Sequence, residues 1–233
     1  MNYTLLVGIQ PRRSGSRLVI AVDGGVATGK SSVCTSVAQR LRIPYFNAGL
    51  LYRALALWCV TQGLSLDNAD GATVVAAGSY PVFVSFEDGN TAVTLAGYDV
   101  SDQLKTAEVS SVVPMIARHS GVREIMNTRQ REIVRQAVSE YGGIVIDGRD
   151  ATTVVVPDAE VKILLVVDRE AQARRTDVCE GGIRAAERDA ADAAVSDFLH
   201  PRSGVAVFDT SAIDLDELVA QVLAYVFTRH PWW

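Results

Sequence analysis

Residues 23–32 read DGGVATGKSS and follow the apolar run LVIAV. Gly24, Gly29, Lys30 and Ser31 fit the spacing G-x-x-x-x-G-K-[ST], and the chemistry of that spacing is the holding of a polyphosphate. Glycines let the backbone turn tightly and bring its N–H groups to phosphate oxygens. The N-terminus of a following helix adds partial positive charge, the ammonium of Lys30 reaches the outer phosphates, and the hydroxyl of Ser31 can ligate Mg²⁺. The candidate ATP-binding stretch is therefore Gly24, Gly25, Val26, Ala27, Thr28, Gly29, Lys30, Ser31 and Ser32. A chance glycine turn would need neither a buried strand before it nor a helix after it. Asp147, at the end of GGIVID, is the candidate second holder of the metal, through water; a plain strand-end cap is its other reading.

Three lysines stand among 22 basic residues. Arginine's planar fork suits phosphate oxygens, and phosphoryl transfer needs positioning and cationic clamping more than covalent chemistry. Arg53, Arg149, Arg174, Arg175, Arg184 and Arg188 are candidate clamps, with a solvated surface role as the alternative. Arg188 and Asp192 also have the spacing of an ordinary i,i+4 helix pair.

These groups need a frame. Leu18–Val22 is a short, continuous, β-branched run, which predicts a strand buried on both faces. A helix is expected over 31–41, a short strand over 44–47 and a second helix over 50–62. Strands at 143–146, 161–167 and 205–208 alternate with helices at 122–140, 169–192 and 214–228. That rhythm predicts an α/β fold with a parallel sheet wrapped by helices. Residues 80–96 break it: VFVSFEDGNTAVTLAG, at 82–97, reads as an antiparallel hairpin around Asp-Gly-Asn, a small β insert. The expected organisation is an N-terminal extension over 1–17 and one domain over 18–230. That domain would carry an acceptor-binding insert over about 63–105 and a short helical lid over about 174–192.

A net charge of −5 and a pI near 5.2 argue against bulk nucleic-acid binding. No apolar stretch reaches the roughly 18 residues of a membrane span. In MNYTLLVGIQPRRSGSR the basic residues follow the apolar run, the reverse of a secretory leader. Cys34, Cys59 and Cys179 lack metal-ligand spacing and suit a reducing compartment, so a cytoplasmic protein is expected, monomeric or weakly dimeric. His119, His200 and His230 are read as structural or surface groups.

Four further stretches resemble bacterial cytidylate kinases: NAGLLYRALAL at 47–57, GYDVSDQLKTAEVS at 97–110, IDGRDATTVVVPDAEVKILL at 146–165 and ERDAAD at 187–192. Their order and spacing hold from about residue 18 to 225, and the DGRD stretch is the most specific. The resemblance implies a P-loop nucleoside monophosphate kinase fold, with ATP giving its γ-phosphate to CMP or dCMP. It further implies that Tyr52 and Arg53 face the acceptor phosphate, that Arg123 and Asp150 contact the pyrimidine, and that Arg149 binds phosphate. Arg188 would bridge the phosphates and Asp192 would take the ribose hydroxyls. The catalytic set so implied is Lys30, Arg149, Asp150 and Arg188.

The pattern breaks in places. Asn47-Ala48 replaces an Asp-Ser pair, Pro114 stands where a serine helps read cytosine, Val195 replaces an arginine, and the lid is shorter than the family's. An altered acceptor, either a modified nucleotide or a specialised metabolite, is the alternative these changes raise. An ionised acceptor phosphate needs no general base; a hydroxyl acceptor would, with Asp150 the first candidate and Asp192 the second.

Overall fold

A computed structural model of the protein describes residues 17–64, 80–177 and 201–233. Its centre is a five-stranded parallel sheet built from β1 (Leu18–Gly24), β2 (Tyr45–Asn47), β6 (Gly143–Gly148), β7 (Val161–Val166) and β8 (Ala206–Asp209), in the order β2-β6-β1-β7-β8. Helices α1 (Lys30–Leu41) and α2 (Gly49–Thr61) follow β1 and β2. Helices α3 (Ala107–Ala117) and α4 (Ser120–Tyr141) precede β6, and α5 (Arg169–Asp177) and α6 (Leu215–Arg229) follow β7 and β8.

Strand β1 shows why its sequence carries no polar alternation. Leu18, Ile20 and Val22 enter one apolar cluster with α1 and α6, while Val19 and Ala21 enter another with α2, α3 and α4. Both faces are covered, so every position must be apolar. The polar residue that ends the run, Asp23, is nonetheless buried.

The insert is a three-stranded antiparallel sheet of β3 (Val82–Glu87), β4 (Asn90–Leu95) and β5 (Tyr98–Asp99). Asp88 and Gly89 both have positive φ, the conformation a two-residue hairpin turn demands. The expected hairpin is therefore present. The third strand is an addition: it has two residues, too few to show a period. The insert is fastened to the core edge, since Tyr45 N donates to Gly89 O at 2.7 Å, Asn47 N donates to Thr91 Oγ1 at 2.9 Å and Thr91 Oγ1 donates to Tyr45 O at 2.8 Å.

Helix α4 buries Val122, Met126, Val134 and Ala137 as its period predicts, and with them Asn127 and Gln130. The extension up to residue 16, and the lid beyond residue 177 with Arg184, Arg188, Asp192 and Val195, lie outside the described residues.

Candidate active site

The glycine loop leaves β1 and enters α1, as its spacing requires. Gly24 has φ 153°, and a Cβ there would lie 2.5 Å from Leu165 O; Gly29 has φ 78° in open space. Ala27 also takes positive φ, at 62°. Thr28 turns inward and donates to Gly25 O at 2.9 Å. Among the described residues no side chain caps α1 at Gly29, and an uncapped helix N-terminus directly after a glycine loop suits an anion. Lys30 Nζ donates to Gly24 O at 2.6 Å and to Gly25 O at 3.0 Å, and so lies across the loop mouth.

At the C-terminal end of β6, Asp147 Oδ2 accepts from Ser31 Oγ at 3.1 Å and from Tyr45 Oη at 3.0 Å. Burial raises the Asp147 carboxyl above its ordinary value, opposed by Lys30, Tyr45, Ser31 and Arg149. Burial and the Asp147 carboxylate likewise push the Tyr45 hydroxyl far up, so it stays a neutral donor. The strand-end alternative for Asp147 survives only in its backbone, whose carbonyl accepts from Ala48 N. Its side chain belongs to the loop.

A cavity of about 240 Å³ opens beside these groups. Lys30, Ser31, Tyr52, Arg53, Arg123, Asp147, Arg149 and Asp150 are among the residues that line it. Sequence positions 30 to 150 thus converge because β1, β2 and β6 are neighbours whose C-terminal ends point the same way. The three cleft arginines are each tied to a carbonyl: Arg53 to Leu104 O, Arg123 to Ala117 O and Arg118 O at the end of α3, and Arg149 to Gly24 O at 2.8 Å. Of the surface alternatives, Arg174 is exposed and pairs with Glu170. Arg175 instead braces the glycine loop through Ala27 O and also donates to Thr210.

Asp150 has a pKa raised to about 6, by burial first and by the Asp23 carboxylate second, against Arg123 and Arg131. Sequence reasoning missed Asp23, Tyr45, Thr152, Gln130 and Arg131 at this site. Gln130 lines the cavity, and among the described residues its buried Oε1 has no hydrogen-bond partner. A polar residue on the apolar stripe of α4 was the available signal.

The altered positions also have structural accounts. Asn47 Oδ1 accepts from Gly49 N at 3.1 Å, a turn at the entry of α2 that a carboxylate could equally make. Ala48 is buried against the core. Pro114 lies inside α3, which remains helical although its ring nitrogen cannot donate to the carbonyl four residues back. It presents an apolar ring to the cavity.

The family profile described as cytidylate kinase matches residues 20–228. The chain belongs to the cytidylate kinase family. It is 34% identical over 220 residues to a cytidylate kinase of Streptomyces griseus subsp. griseus, covering 91% of this chain and 93% of the relative. To one of Cutibacterium acnes it is 33% identical over 221 residues, covering 91% and 97%. An uncharacterised protein from Eubacterium ventriosum has a similar fold: TM-score 0.52, 14% identity, covering 91% of this chain and 99% of that one. Among the described residues no helix is long and apolar enough to cross a membrane.

Proposed function

We propose that the protein catalyses transfer of the γ-phosphoryl group of ATP to the phosphate of CMP or dCMP, giving ADP and CDP or dCDP. The observation that carries this reading is the meeting of the glycine loop with Tyr52, Arg53, Arg123, Arg149 and Asp150 around one cavity. The loop amides of residues 24–32 and the Lys30 ammonium hold the triphosphate. Tyr52 and Arg53 hold the acceptor phosphate, and Arg123 and Asp150 meet the pyrimidine. Arg149, between the loop and the acceptor wall, spans the two phosphate groups. An acceptor phosphate oxygen then attacks the γ-phosphorus in line; the P–O bond to the β-phosphate breaks, and its electron pair leaves with ADP. The acceptor oxygen is already ionised, so no proton needs removing, and the chain's task is alignment and charge neutralisation.

The donor set formed by the Ser31 hydroxyl and the Asp147 carboxylate fits a hard cation that keeps several waters and phosphate ligands, as Mg²⁺ does. When bound, that ion neutralises charge on the β- and γ-phosphates. Arg188 and Asp192 lie outside the described residues; the family resemblance supports Arg188 as a phosphate ligand and Asp192 as a ribose ligand. The protein is taken to be cytoplasmic and a monomer or weak homodimer.

The reading is tested by coupled ADP release with ATP, Mg²⁺ and a panel of CMP, dCMP, UMP and AMP. The expected result is turnover with CMP or dCMP above the others; no turnover with either would overturn it. The altered-acceptor alternative is not favoured by the relatives named above, both of them cytidylate kinases.

A further inference from the structure

The loop that carries Arg149 and Asp150 runs into a single π-helical turn, Ala151–Val155. Such a turn is short and cannot satisfy its own ends. Both ends are met by buried or half-buried charged groups from other elements. At the start, the carboxylate of Asp23 accepts from Ala151 N and Thr152 N, each at 2.9 Å, and from the Thr152 hydroxyl. At the finish, Arg131 on α4 donates through Nε to Val155 O at 3.0 Å and through Nη2 to Val154 O at 2.7 Å. Asp23 is 1% exposed and Thr152 is 5% exposed, so water cannot replace the bonds at the start of the turn.

Asp23 is also the residue immediately before Gly24, whose carbonyl accepts from both Lys30 and Arg149. One buried carboxylate at the end of β1 therefore sets two things: where the glycine loop begins, and where the Arg149-Asp150 segment stands relative to it. We propose that Asp23, with Thr152 as its partner and Arg131 at the far end of the turn, is a positioning residue that holds Arg149 and Asp150 in register with the triphosphate loop. It touches no substrate and acts through the loop it holds. This inference rests on the function proposed above.

The test compares Asp23→Asn, Thr152→Val and Thr152→Ser with wild type. An asparagine keeps one acceptor oxygen but turns an amide donor towards one of the two backbone N–H groups. In Asp23→Asn, kcat/KM for CMP is expected to fall about tenfold or more while the Kd of a non-hydrolysable ATP analogue stays within about threefold. Hydrogen exchange at the Ala151 and Thr152 amides should quicken while exchange in β1 and α1 does not. Thr152→Val should raise the KM for CMP several-fold, and Thr152→Ser, which keeps the hydroxyl, should restore it.

Unchanged CMP kinetics in folded Asp23→Asn or in Thr152→Val would overturn the proposal. So would equal losses of CMP and ATP-analogue binding, or unaltered exchange at 151–152. If Asp23→Asn does not fold, the Thr152 pair decides alone. Exchange and analogue binding need no turnover, so they read the clamp even if wild type proves inactive with CMP.

Discussion

Between Gly24 and Lys30 the chain presents backbone; from Tyr52 to Asp150 the cavity is lined by side chains. The donor loop's shape follows from φ values, with Gly24, Ala27 and Gly29 all positive and Thr28 folded under. The lining proposed to meet the acceptor draws on α2, α3, α4 and the loop after β6, and its arginines rest on carbonyls of three other segments. A backbone grip tolerates little change in sequence and hardly responds to pH. A side-chain wall can be altered residue by residue, and the departures at Asn47, Ala48 and Pro114 fall on that side. The buried carboxylate of Asp23 joins the two.

The comparison breaks most plainly at Lys30, a donor-side group that is a side chain. Lys30→Ala should lower kcat by about 10²–10³-fold, since it removes a charge aimed at the transferring phosphoryl group. The melting temperature should move little, and ADP-release kinetics beside a thermal melt check both halves. An unaffected kcat would mean that backbone alone carries the donor site.

Gly24→Ala against Gly29→Ala separates two kinds of backbone demand. At Gly24 the added methyl meets Leu165 O at 2.5 Å, so a loss of about 3 kcal/mol is expected in urea unfolding. At Gly29 the space is open and only the left-handed conformation is penalised, by about 1 kcal/mol. Equal losses would show that φ, not the closeness of β7, governs the loop.

On the acceptor side, Asp150 gives pH its lever. Its folded pKa of about 6 lies above the ordinary 3.8, so the folded protein binds the extra proton between those values. Its contribution to stability is therefore unfavourable above pH 6, and it fades as pH falls towards 4. Asp150→Asn should be more stable than wild type by about 3 kcal/mol at pH 7, with the gain vanishing near pH 4. Denaturation at the two pH values measures it. A gain that persists at pH 4 would assign the effect to packing instead.

The smallest effect is expected at Pro114. A serine there restores a hydrogen-bonding group beside the cavity, worth about 1 kcal/mol, so Pro114→Ser should change the KM for CMP only a few-fold and leave ATP binding alone. A change in ATP binding would blur the division between the two walls.

What the sequence settled alone is what neighbouring residues can settle. The loop of 24–31 was legible because glycine spacing, a preceding apolar strand and a following helix are all local signals. The parallel sheet was legible because strands covered on both faces must be apolar throughout, and the hairpin because Asp88-Gly89 takes the positive φ of a tight turn. Tertiary structure alone decided the rest. Asp23 reads in sequence as the polar end of a strand, yet its carboxylate holds an amide 128 positions away. Gln130 reads as an interruption of an apolar stripe, yet it lines the acceptor cavity. Arg175 reads as one lid arginine among several, yet it braces the donor loop. Hydrogen bonds between buried groups depend on which strand ends lie side by side, and strand order is set by packing of the whole chain, beyond the reach of any local pattern.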